Sequence, residues 1–214
     1  KSRIVHLAEL GVLGEDAALI HMNIVYDDEV GPLKETGTSV IWCPVGYMRL
    51  GLMGLVECKM PALTREGINV AASVDGALDA AIGSAGPMAF LIASGSRDQL
   101  PPETILEMQT INAAKTCGMQ DRIGSLEVGK RADVVIRSVE AADLRPGVNP
   151  IHQLVLTGSA GSADTVFVNG QMVYRHGHST RLDEGDVYAS VKSSVEARMD
   201  RLGLTPSLSW PVFE

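Results

Sequence analysis

Three apolar runs of strand length constrain the fold most: Ala17–Asn23 (AALIHMN), Ser39–Cys43 (SVIWC) and Asn69–Val74 (NVAASV). Near-continuous apolar runs suit strands that are covered on both faces. Helix-length segments separate them. Asp27 and Asp28 can cap a helix reaching Gly37, although Pro32 falls inside it. Leu55–Glu66 reads as a second helix, with Gly67 as its stop. Ser2–Gly11 reads as the end of an earlier helix, and further helices are predicted at about Ala80–Ser94 and Glu103–Gly118. Alternating strands and helices predict parallel strands joined by crossovers, an α/β unit.

The pattern changes after Gly118. Glycines then punctuate short β-type runs at Ala132–Arg137, Thr165–Val168 and Gln171–Arg175. Asn169-Gly170 between the last two is a strong two-residue hairpin signal. A final helix is predicted over Asp186–Leu202, followed by a Pro-containing tail. The expected division is therefore 1–122, 123–180 and 181–214.

Composition excludes several classes. With 18 Lys+Arg against 26 Asp+Glu, the net charge is −8, which argues against a nucleic-acid surface. No apolar run approaches the roughly 18–20 residues of a membrane span. The three cysteines Cys43, Cys58 and Cys117 fit buried thiols in a reducing, cytoplasmic setting better than a disulfide frame. Only 4% of residues are aromatic, so the core must be mostly aliphatic.

Polar residues at the C-terminal ends of parallel strands are the first candidates for chemistry, because active sites of such sheets collect there. His21 lies near the end of the first run and Asp75 just after the third. Trp42, Cys43, Tyr47 and Met48 lie at or after the end of the second. A histidine and a carboxylate at strand ends can bind a metal or share a proton with a water. Equally, a strand histidine can bond a core carbonyl, and an Asp before Gly can serve a turn.

The segments LAELGVLGEDAALIHMNIVYDDEV, ETGTSVIWCPVGYMRLG, REGINVAASVDGA, DRIGSLEVGKRADVVI and DTVFVNGQMVY occur in that order. Together they resemble the C-terminal half of the amidohydrolase superfamily, in its cytosine deaminase and atrazine chlorohydrolase-like branch. The resemblance implies the C-terminal part of a metal-dependent (β/α)8 TIM barrel, with strands six to eight, plus strands of a small β-sandwich. It implies a hydrolase of non-peptide C–N bonds, an aminohydrolase acting on a small amino-substituted heterocycle through a metal-activated water. It assigns His21 to orienting substrate and water. It assigns Asp75 to binding the metal, zinc or iron, and to taking the water's proton. Cys43–Gly51 matches the pocket-shaping loop, but with departures: Trp42 stands where His is frequent, Gly46-Tyr47 where Ser-Asn is usual, and Val74 where a small polar residue is usual. Trp42 and Tyr47 can stack on a flat ring, or Trp42 can pack beneath the loop.

Two strings imitate the family's other metal motifs. His6-Leu7-Ala8-Glu9 reads as His-x-x-Glu, but only positions 7–20 separate His6 from His21. A parallel crossover needs a dozen or more residues besides the strands themselves, so His6 belongs to the preceding helix. His176-Gly177-His178 reads as His-x-His, but it follows a hairpin strand in the sandwich portion and is expected to be a solvated turn. His152 is expected to cap or pack a short helix beside the sandwich, and Glu29 and Glu35 to lie on solvated helix faces. The first-strand His-x-His and fifth-strand His-x-x-Glu are thus expected from a missing N-terminal half or partner chain. A barrel alone takes about 250 residues, more than the 214 here. A non-catalytic fragment or assembly subunit is the rival reading, and a homodimer is compatible with the family.

Overall fold

A computed structural model describes residues 2–76, 85–158 and 160–205. The first sheet has three parallel strands in the order β1 (Ala18–Ile20), β2 (Ser39–Trp42), β3 (Val70–Ala72). Ile20 pairs with Ile41, and Ile41 with Ala71, so the three C-terminal ends share one edge. Helix α1 (Arg3–Glu9) precedes β1, and α2 (Asp27–Thr36) and α4 (Met60–Arg65) provide the crossovers. The strand–helix alternation is therefore that read from the sequence, with shorter elements.

The boundaries differ for local reasons. In α2, Asp27 and Asp28 occupy the first turn and Tyr26 is the cap residue. Glu29 is not solvated: it is buried, and its Oε2 accepts a bond from the Tyr26 N–H at 2.9 Å. Pro32 is tolerated within α2 because the carbonyl it leaves unbonded belongs to exposed Asp28. Helix α4 starts at Met60 rather than Leu55, since Pro61 suits only a first turn. A short helix α3 (Pro44–Arg49) follows Cys43 and starts on Pro44, so the first part of the expected Cys43–Gly51 loop is helical.

Helix α5 (Ala85–Gly95) covers part of the segment read as Ala80–Ser94, whose first five positions lie outside the described residues. The predicted helix at Glu103–Gly118 is two, α6 (Pro102–Gln109) and α7 (Ile111–Thr116). Thr110 breaks them, with φ −125° and ψ −93°. Asn69 fastens α7 to the sheet: its Nδ2 shares its two hydrogens among Ser39 Oγ, the Asn112 carbonyl and Thr116 Oγ1, at 3.0–3.1 Å.

The core lies between this sheet and its helices. Leu33, Val40, Trp42, Leu63, Val70, Ile92, Ile105 and Met108 are fully buried within it. Mostly aliphatic filling is what a sheet covered by helices requires.

The second sheet is antiparallel, in the order β4 (Val134–Arg137), β5 (Ala163–Val168), β6 (Gln171–Arg175), β7 (His178–Ser179). Asn169 and Gly170 both take positive φ, 51° and 76°, as the hairpin turn requires. Helix α8 (Pro150–Leu156) packs on α5 and α6, so His152 faces the parallel-sheet helices rather than the second sheet. Helix α9 (Glu184–Leu202) begins two residues earlier than predicted, because the Asp183 carboxylate accepts from the Asp186 N–H.

Candidate active site

The ends of the three parallel strands deliver the candidate residues. The chain leaves β1 at His21, which adopts φ 60° and turns sharply. It leaves β3 through Ser73 and Val74 to Asp75. The two side chains come from strands that are not neighbours, and they meet across the end of β2. His21 Nε2 lies 3.9 Å from Asp75 Oδ1, with both side chains about half exposed. That distance is an ion-pair contact and too long for a hydrogen bond.

Arg49, at the last turn of α3, places Nη2 4.0 Å from Asp75 Oδ2. These residues, with Asn23, Ile24, Gly46, Leu50 and Leu52, line an open cleft of about 410 Å³. Sequence reasoning missed Arg49 and Asn23. Arg49 is the one charged residue in the apolar stretch from Cys43 to Val56, and that was the available signal. A larger cleft of about 1160 Å³ lies between β4 and helices α6 and α8. Its acid, Glu140, is paired with Arg145, and no histidine or cysteine lines it. The smaller cleft is the chemically equipped one.

The remaining sequence candidates fall on both sides of the surface. Met48 is exposed on α3 but is not among the residues that line the cleft. Trp42, Cys43 and Tyr47 are buried, at no more than 2% exposure. The Trp42 ring packs in the core, which corrects the picture of an open stacking face in favour of packing beneath the loop. The Tyr47 hydroxyl donates to the Val56 carbonyl, which ties α3 to the loop behind it. Burial raises the Tyr47 pKa, and nearby Cys58 adds to the effect.

The imitating histidines stay apart from the cleft. His6 is exposed on α1. His176 and His178 straddle the β6–β7 turn and pair with different acids, Asp164 at 2.8 Å and Glu184 at 3.3 Å. The His176 contact is the first cause that holds the Asp164 carboxyl below its usual range. His152 contacts Glu103 at 3.1 Å.

The resemblance implies a divalent metal. Among the described residues, no group of three or more His, Cys, Asp or Glu side chains is placed to hold one. A tight zinc site takes three or four protein ligands. Asp75 and His21 supply two candidate donors, with the Arg49 cation beside them. The described residues therefore do not form a complete metal site by themselves.

This arrangement defines a class: an α/β protein with a histidine–carboxylate contact at the C-terminal edge of parallel strands. Residues 3–173 match the Amidohydrolase family, and the chain belongs to it. It is 32% identical over 197 residues to 5-methylthioadenosine/S-adenosylhomocysteine deaminase of Teredinibacter turnerae, covering 89% of this chain and 44% of that protein. It superposes on a zinc-bound adenosine deaminase of Xanthomonas campestris with TM-score 0.82 and 25% identity, over 90% of this chain and 45% of the other. The fold also matches a zinc complex of atrazine chlorohydrolase from Arthrobacter aurescens, with TM-score 0.72 and 20% identity over 87% and 42%. The chain spans about half the length of the curated relatives it matches, and its architecture corresponds to roughly the C-terminal half of these structures. Among the described residues, no helix is long and apolar enough to cross a membrane.

Proposed function

We propose that this chain supplies the His21–Asp75 part of an aminohydrolase active site, which releases ammonia from an amino-substituted heterocycle of the adenine type. One observation carries the reading: residues from two non-adjacent strands converge to 3.9 Å in an open cleft on the C-terminal edge of a parallel sheet. The deaminase relatives support the reaction class and the choice of ring. In this reading residues 1–122 complete an eight-stranded barrel with a further half, and the second sheet contributes to a small sandwich. That further half would bring His-x-His and His-x-x-Glu, with zinc or iron.

Within the cleft, the chain's own groups divide the work. The Asp75 carboxylate accepts the proton of the attacking water. His21 orients the water and the ring from beside Asp75. Arg49 keeps a positive charge beside Asp75, while the apolar lining receives the flat ring.

The test is ammonia release by the whole protein from a panel of amino-heterocycles, including adenosine and 5′-deoxyadenosine. Asp75→Ala should lower turnover by about 10²–10⁴-fold, the usual contribution of a positioned acid or base. Turnover at the parent rate in Asp75→Ala overturns the assignment. The lack of a three-donor cluster among the described residues favours a second reading, a non-catalytic assembly subunit. Metal analysis separates the two: about one zinc or iron per particle supports the enzyme, whereas a metal-free particle without activity supports the subunit.

A further inference from the structure

The cleft holds one polar side chain that the proposed mechanism leaves unused. Asn23 lines it, yet is only 6% exposed, whereas His21, Arg49 and Asp75 are about half exposed. Its amide oxygen Oδ1 is buried, and no hydrogen-bond donor among the described residues reaches it. Buried polar atoms in folded proteins are almost always paired, and an unpaired one calls for an explanation. The Asn69 amide, also in this domain, follows that rule with its acceptors at hydrogen-bond distance.

The backbone sets the position of Asn23. After the left-handed residue His21, the Asn23 N–H donates to the His21 carbonyl at 2.7 Å, in a tight turn. This turn carries Asn23 to the buried side of the cleft, two residues from the candidate catalytic histidine.

We infer that the Asn23 amide, turned about χ2 so that its unpaired oxygen faces the cleft, reads the substrate, accepting a hydrogen bond from the exocyclic amino group of the heterocycle held against His21 and Asp75. The inference rests on the proposed aminohydrolase reading and deepens it. Asp75 is engaged with water, and Arg49 offers only donors. Besides a neutral His21 ring nitrogen, Asn23 is then the side-chain acceptor of this lining left for an N–H beside the reacting carbon. Ile24, Leu50 and Leu52 supply apolar walls for a flat ring. A site built around such a bond discriminates strongly, because an analogue lacking the donor leaves the buried oxygen unpaired.

The experiment uses the whole metal-loaded protein and two probes, adenosine and purine riboside, which carries hydrogen in place of the amino group. Asn23→Leu keeps the shape and deletes the acceptor. It should weaken adenosine binding about tenfold, with purine riboside changed by less than about threefold, and without lowering the melting temperature or metal content. Asn23→Asp keeps an acceptor at the same place and should hold adenosine affinity within about threefold of the parent. Asn23→Leu binding adenosine like the parent, or losing both probes equally, overturns the inference while leaving the proposed reaction intact. A parent protein that neither binds adenosine nor releases ammonia from it overturns both.

Discussion

Replacing Trp42 separates a packing residue from a ligand-stacking one. The ring is fully buried on the central strand β2, and its indole Nε1 has no partner among the described residues. Trp42→Ala removes the largest side chain of the core and leaves a cavity, which costs about 3–5 kcal/mol. For a chain of this length each kcal/mol moves the melting temperature by about 2–4 °C, so the expected drop is about 6–20 °C. Trp42→Phe is different. It loses about 1 kcal/mol of buried apolar contact, but it also removes an unpaired buried N–H, worth about 1–3 kcal/mol. The net effect is about 0–2 kcal/mol in favour of the variant, so the melting temperature should stay level or rise by up to about 8 °C. Because the ring faces the core, KM in the proposed reaction should not change in Trp42→Phe. Thermal unfolding and ammonia release, measured on the same preparations, check both halves. A Trp42→Phe variant with unchanged melting temperature and KM raised about tenfold would show that the ring touches substrate.

Two further outcomes follow from packing and burial. Gly86→Ala should destabilise by about 1–3 kcal/mol in denaturant unfolding, since an added Cβ would lie 2.6 Å from the Val155 carbonyl oxygen on α8, a backbone atom with little room to yield; unchanged stability would mean that α5 and α8 are not in contact. Burial, ahead of the Asp98 and Glu57 charges, pushes the Cys58 pKa up to about 11. Cys58 should therefore resist alkylation at pH 8 while exposed Cys117 reacts, as read by mass spectrometry of the native protein. The sign for stability is that of a raised acid: the contribution is full below the ordinary thiol value of 9.0 and is lost as pH rises through about 11. Fast labelling of Cys58 at pH 8 would contradict its burial.

The sequence by itself determined the order of elements and the chemistry on offer. Apolar runs and helix-length gaps specify strands and crossovers locally, and Asn169-Gly170 specifies its hairpin through two positive φ angles. The family could be read too, because the quoted segments preserve order and spacing over most of the chain, and residues 3–173 match it. Only the tertiary structure decided which side chains meet. His21 and Asp75 converge across the end of β2 because the parallel register aligns the three strand ends, and no local spacing encodes a contact between positions 54 residues apart (75 − 21). The burial of Trp42 and Tyr47, the capping bond of Glu29, and the meeting of Arg49 and Asn23 in one cleft were likewise hidden. An aromatic or polar residue beside a strand end reads the same in one dimension whether it faces core or solvent. The face is chosen by what packs against it, here helices that arrive from distant parts of the chain.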